Sequence, residues 1–327
     1  MILRVSFLVF SLLLAMLISL QSGSVEISLS DFWTGLTAQQ NLVVWELRFP
    51  RIILTALVGA GLAVAGVSLQ ALFRNPLAEP GLIGVSSSAA LGAVLVIVLG
   101  GALWGEVQGW QMSIAAFVFA GAMTVMLYLI ATRKGKTDVA LMLLAGVAIN
   151  AIAGALTGLL ITISSDVQLR SVMFWMMGSF ANVSWQDVAL VASVMFISLF
   201  GLIRLIKPLN AFLLGEQTCL HMGYTVQKLK WQVMGLSALL VGTAVALVGV
   251  IGFVGLIVPH MVRLWVGPDH RSLIPLSALG GALLLVLADL LARSVLQPAE
   301  LPIGLLMALL GGPFFLMMLL KRRGISL

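Results

Sequence analysis

The sequence predicts an all-α integral membrane protein with about ten transmembrane helices, and three observations predict it. The 327 residues are 61% hydrophobic and only 9% charged, against roughly a quarter charged in a soluble domain. Apolar runs of about twenty residues recur along the chain, the length needed to cross a hydrocarbon core. When these runs are laid alternately up and down, most basic residues collect on one side. A globular chain must cover itself with polar groups, and this one has too few. In lipid, backbone groups must be satisfied within a helix or a closed barrel. Barrel strands would be about ten residues long with alternating polarity, and these runs are longer and uniformly apolar.

In order, the expected spans are 5–21, 51–72, 84–101, 112–131, 139–163, 187–206, 230–250, 253–266, 272–294 and 303–320. The first run, VSFLVFSLLLAMLISL, has a signal-peptide flavour. Yet only Arg4 precedes it and no small-x-small cleavage site follows, so a retained helix is expected. The span at 253–266 is short, contains Gly255 and Pro259 and follows Gly249 and Gly252. Interrupted segments of that kind line pathways more often than they face lipid.

With both termini cytoplasmic, only Arg48, Arg51, Arg170 and Arg293 of the 18 basic residues fall on the outer side. Basic residues favour the cytoplasmic side, so this bias sets the expected orientation. The chain is expected to form one transmembrane domain over 1–327, without a soluble domain. Residues 22–50 form an outer connection whose Trp33 and Trp45 suit the membrane interface. Residues 207–229, KPLNAFLLGEQTCLHMGYTVQKL, are too polar to span and too apolar for a free linker. Short surface helices fit them, either docking on a soluble partner or resting on lipid.

Several classes are excluded. The net charge of +6 is scattered between apolar runs, without a basic stripe or stacking platform for nucleic acid. One cysteine, Cys219, rules out an internal disulfide and a Cys-rich metal site. There is no GxxxxGK[ST], so any ATPase is a separate chain. His221, His260 and His270 sit at helix ends without HExxH or a paired carboxylate, so no catalytic or metal residue is assigned. Asp289 is the one acid well inside a span. Intramembrane acids are functional candidates, but Arg293 lies one turn later and favours an i, i+4 pair over a proton relay.

Two stretches invite a functional reading. In FRNPLAEPGLIGVSSSAALG (73–92), Pro76 and Pro80 break the helix and force a turn at the inner face. That turn is either a rigid loop or an inner constriction. In WELRFPR (45–51), Arg48 and Arg51 precede a span, and Arg293 ends another on the same side. They serve either as lipid anchors or as a basic landing site for acidic residues of a partner.

Seven stretches together resemble a known family. They are RFPR (48–51), LFRNPLAEPGLIGVSS (72–87), LLAGVAIN (143–150), FWMMGSF (174–180), GFVGLIVPHMVR (252–263), DHRSLIP (269–275) and AELPIG (299–304). In that order they are similar to the iron-siderophore, haem and cobalamin (FecCD) branch of ABC importer permeases. DVQLRSVMFWMMGSF (166–180) and the PAELPIG end are most similar to its cobalamin permeases. Haem permeases share much of the rest, including a GPDHR stretch like 267–271.

The resemblance implies a type II importer permease fold in the bacterial inner membrane, working as a homodimer. It implies two copies of a separate ABC ATPase, which bind ATP and magnesium, and a periplasmic substrate-binding protein. It implies no cofactor in this chain and no catalysis by it. By residue, it implies binding-protein docking at Arg48, Arg51 and Arg293, and a cytoplasmic gate at Asn75 and Leu77. It further implies ATPase coupling along 209–224, with Leu209, Gly215, Glu216 and Gly223. A second constriction falls at Val139 and Ala140, where cobalamin permeases have small hydroxylated residues. The cargo implied is cobalamin, with haem or a ferric siderophore as alternatives. A stand-alone secondary transporter would need coupling carboxylates near the midplane, for which Asp289 alone is too little. A membrane-embedded enzyme would need the missing catalytic constellation.

Overall fold

The computed structural model describes residues 1–322 apart from 24, 26, 29, 106, 134, 135, 297 and 298, without the side chains of 104, 319, 321 and 322. The chain begins with α1 (Ile2–Gln21). Two short helices follow, α2 (Asp31–Thr34) and α3 (Ala38–Leu42), and a π-helical stretch Val43–Arg48 leads into α4 (Phe49–Leu72). Residues 73–79 turn, a 3-10 turn covers Pro80–Ile83, and α5 (Val85–Trp104) and α6 (Gly109–Ala131) pack as a hairpin. A two-residue ladder, β1 (Thr132–Arg133) against β2 (Lys136–Thr137), connects to α7 (Val139–Thr162). Then come α8 (Asp166–Met177), α9 (Trp185–Arg204), α10 (Ile206–Leu213), α11 (Glu216–His221) and α12 (Val226–Val248). The last three are α13 (Val254–Val266), α14 (His270–Ser294) and α15 (Ile303–Arg322).

Among the described residues, eight helices are long and apolar enough to cross a membrane, and α13 and α15 are shorter apolar helices. Together these match the ten expected spans, with ends shifted by a few residues. Two connections between spans also contain helix. The connection 22–50 is partly helical and runs into α4, because the capping box at Thr37 and Gln40 starts a helix before Pro50. Helix α8 lies where no span was expected. At twelve residues it is too short to cross, and Ser165 and Gln168 cap its start.

α4 is the hub, with 89% of its most apolar window buried, against 17% for α1 and 22% for α7. Its neighbours are α14, α12, α13 and α9. Small residues allow this, since lipid supplies no hydrophobic drive between helices and close backbone approach takes its place. A Cβ on Gly59 would overlap the Gly281 carbonyl of α14, and one on Gly66 would overlap Gly255 of α13. Gly59 and Gly66 lie two turns apart, so one stripe of α4 receives both partners.

Candidate functional site

The helix ends form two polar regions. At one, Met1 lies beside Ser272 of α14 and Arg4 stands 5.5 Å from the Trp265 ring of α13. The turn after α4, the β1–β2 ladder and α10–α11 share this end. At the other, the end of α1 meets the start of α4 and the end of α14.

The second end is built on a network of charged side chains. Asp289 on α14 lies between two arginines. Arg51 of α4 donates to it at 2.8 Å and 3.2 Å, and Arg293 pairs with it at 3.2 Å. The expected Asp289–Arg293 pair is therefore present, inside a larger network. Arg51 also reaches Glu300, at 3.0 Å and 2.9 Å, and Glu300 is the exposed member. Arg293 donates to the Ser19 hydroxyl and to the carbonyl of Ser22, tying α14 to α1. Arg48 is buried and donates to the carbonyls of Leu20, Gln21 and Val25. The three arginines are thus gathered at one end, but turned inward. Their guanidinium groups are all engaged within the chain.

At the first end, residues 73–79 form the expected turn. Asn75 Oδ1 accepts from the Leu77 N–H at 3.0 Å, an Asx turn. Glu79 accepts from the Phe253 N–H at the start of α13, at 2.5 Å. Burial raises the Glu79 carboxyl above its usual range, and the Phe253 hydrogen bond opposes this in part. Gly81 O accepts from Asn150 of α7 at 3.0 Å, joining this turn to α7. Val139 and Ala140 open α7, whose first N–H groups are capped by Asp138 at 2.8 Å and 3.2 Å. Asn75 and Leu77 are half-buried, as is Val139, and Ala140 is exposed.

Residues 207–229 fold into α10, α11 and the first turn of α12. Leu209 and Phe212 of α10 and Cys219 of α11 are fully buried and anchor the pair. Gly215 (φ +116°) separates the two helices, and Gly223 (φ +84°) ends the second. Leu214, Leu220 and Met222 remain exposed along this segment. Glu216 pairs with the buried Lys230 at 2.8 Å. His270 bonds Asn210 at 2.7 Å and so ties α14 to α10.

Spacing gave no sign of Glu79, Glu300 or Lys230 in these roles. Their partners lie in distant segments, and the pattern of a span reports neighbours three or four residues away. The one available signal for Glu79 was its place between Pro76 and Pro80, inside a segment already marked as informative.

The model of the FecCD transport family matches residues 11–321. The chain is 42% identical over 323 residues to the hemin transport system permease protein HmuU of Yersinia pestis, covering 98% of this chain and 96% of that one. It is 41% identical over 312 residues to the vitamin B12 import system permease protein BtuC of Shigella boydii serotype 18, covering 95% and 93%. Among solved structures it matches a metal-chelate type ABC transporter in an inward-facing conformation. That match has a TM-score of 0.88 and 34% identity, over 97% of this chain and 98% of that one.

Proposed function

Since this chain belongs to the FecCD transport family of ABC importer permeases, we propose that it forms the membrane pathway of an importer for a large metal chelate, cobalamin first. Stretches 166–180 and 299–304 support cobalamin. Haem is the second reading, supported by the 42% identity to a hemin permease. Both cargoes are bulky metal macrocycles, and a mostly apolar path would pass either without holding it.

The subunit works as a homodimer in the bacterial inner membrane, with both termini cytoplasmic. It binds no cofactor and catalyses no reaction. Two separate ABC ATPase chains bind ATP and magnesium and dock on residues 209–224. The observation carrying this part is the exposed set Leu214, Leu220 and Met222 on α11 and its flanks. Large apolar side chains clustered on a surface segment mark a partner site. Leu209 anchors the segment, Gly215 and Gly223 set its bends, and Glu216 connects it to the bundle. ATP closing the partner dimer favours one permease state, so energy enters through differential binding. The helices then shift at Asn75 and Leu77 and at Val139 and Ala140, the gate.

The substrate-binding protein docks at the end that carries Arg48, Arg51 and Arg293. Because Arg48 is committed to backbone carbonyls, Arg51 and its exposed partner Glu300 are the charges available to it.

Uptake in proteoliposomes tests this reading. With the ATPase and binding protein supplied, labelled cyanocobalamin should accumulate only with ATP, and haem should compete poorly. Preferred haem uptake would select the second cargo. Transport without the ATPase would defeat the importer reading.

A further inference from the structure

Lys230 lies in the second turn of α12 and is 2% exposed. Its ammonium donates to the Thr137 carbonyl at 2.8 Å and to Glu216 Oε1 at 2.8 Å. It also stands 5.9 Å from the centroid of the Phe212 ring. These partners belong to β2, α11 and α10. One side chain therefore joins the segment 209–224 to the ladder that precedes α7. Gln227, one turn earlier on the same face of α12, holds that ladder a second time. Its Oε1 accepts from the Thr137 N–H at 3.2 Å, and its Nε2 donates to the Tyr128 hydroxyl at 2.6 Å and to Thr137 Oγ1.

A buried ammonium is tolerated while its acceptors stay with it, because an unpaired charge at low dielectric is strongly unfavourable. If α11 moved with Glu216 while Thr137 stayed, Lys230 would lose one acceptor or the other. The lowest-energy displacement carries α11, Lys230 and Thr137 together. Thr137 is one peptide from Asp138, which caps α7, and two residues from Val139. Resting on the coupling reading above, we infer that Lys230 is a positioning residue for transport. It ties motion of Glu216 on α11 to Thr137 at the foot of α7, and so to Val139 and Ala140. The path from the ATPase-facing helix to that constriction then runs through one ammonium group.

Lys230→Met keeps the length of the stem and removes the charge. In proteoliposomes with ATPase and binding protein, with cyanocobalamin and haem as probes, the variant complex assembles and hydrolyses ATP. Uptake per ATP falls about tenfold, the scale of an ordinary allosteric coupling, and Lys230→Arg restores most of it. A merely structural role would lower the melting temperature and leave uptake per ATP unchanged, and that result overturns the inference. Glu216→Gln gives a second readout that does not depend on cargo or on Lys230 substitution. Amide hydrogen exchange at Thr137 and along the first turn of α7 should change when ATP binds the native complex and stay unchanged when ATP binds the Glu216→Gln complex. An identical response in both overturns the link as well. Leu220→Asp separates the two readings. If it leaves ATPase assembly intact, the docking assignment of 209–224 is wrong. If it abolishes assembly while Lys230→Met couples normally, only the link is wrong.

Discussion

The carboxylate of Glu79 accepts a hydrogen bond from the backbone N–H of Phe253, a residue 174 positions later. Phe253 has a φ of +68°, a left-handed conformation unusual for an aromatic residue. It is held on both sides, since a Cβ on Gly311 of α15 would overlap the Phe253 side chain. The turn after α4 is thereby fastened to the start of α13, the short span with Pro259.

Removing that acceptor leaves the Phe253 N–H without its partner. Glu79→Ala should therefore cost about 1–3 kcal/mol, read as a lower melting temperature in detergent. Glu79→Gln keeps an acceptor oxygen and should cost less. Equal losses in the two variants would mean the hydrogen bond contributes nothing.

The same residue predicts a pH dependence. Burial raises the Glu79 carboxyl in the folded protein above its ordinary value, so the folded state holds this proton more tightly than the unfolded state. Its contribution is fully present below the unfolded carboxyl pKa and is lost as pH rises through the folded value. The melting temperature of the native chain, relative to Glu79→Gln, should rise on acidification from about pH 8 to about pH 5. A constant difference across that range would contradict the shift.

Asp289 predicts a larger effect. It is buried between Arg51 and Arg293, and removing one partner of a buried ion pair costs about 3–5 kcal/mol. Asp289→Asn should destabilise on that scale and Glu300→Gln far less, since Glu300 is exposed. The i, i+4 spacing made the Asp289–Arg293 pair legible in the sequence. Arg51 and Glu300 were not, because their approach depends on how α4, α14 and the start of α15 pack. The spans were legible for a different reason: about twenty apolar residues in a row have few other uses. Helix α8 escaped because twelve residues give no spanning signal. Lys230 was legible only as one more positive charge on the inner side, since its burial comes from α10, α11 and the β1–β2 ladder closing over it.

Gly59 and Gly281 make the α4–α14 crossing testable. A Cβ at either position would meet backbone that cannot rotate away. Gly59→Ala should cost about 3 kcal/mol or more, at the upper end for overpacking. Gly121→Ala on α6 meets nothing within 4 Å and should be close to neutral or slightly stabilising. Thermal melts of the two variants side by side would check this. Similar melting temperatures would mean that α4 and α14 are not held as closely as described.

Arg48, Arg51 and Arg293 call for a gentler substitution than charge reversal, because reversing Arg51 beside Asp289 would damage the fold before it reported on docking. Glu300→Gln is that substitution. It leaves Arg51 bonded to Asp289 and removes the exposed carboxylate that competes with an acidic partner. If Arg51 receives a carboxylate of the binding protein, Glu300→Gln should tighten docking about two- to fivefold, the worth of an exposed ion pair. The gain should shrink as salt is raised, because exposed charges are screened over about a nanometre at physiological ionic strength. Titrating the binding protein onto the reconstituted permease at low and high salt measures both. Unchanged affinity at low salt would assign Arg51, with Arg48 and Arg293, to holding α1, α4 and α14 together.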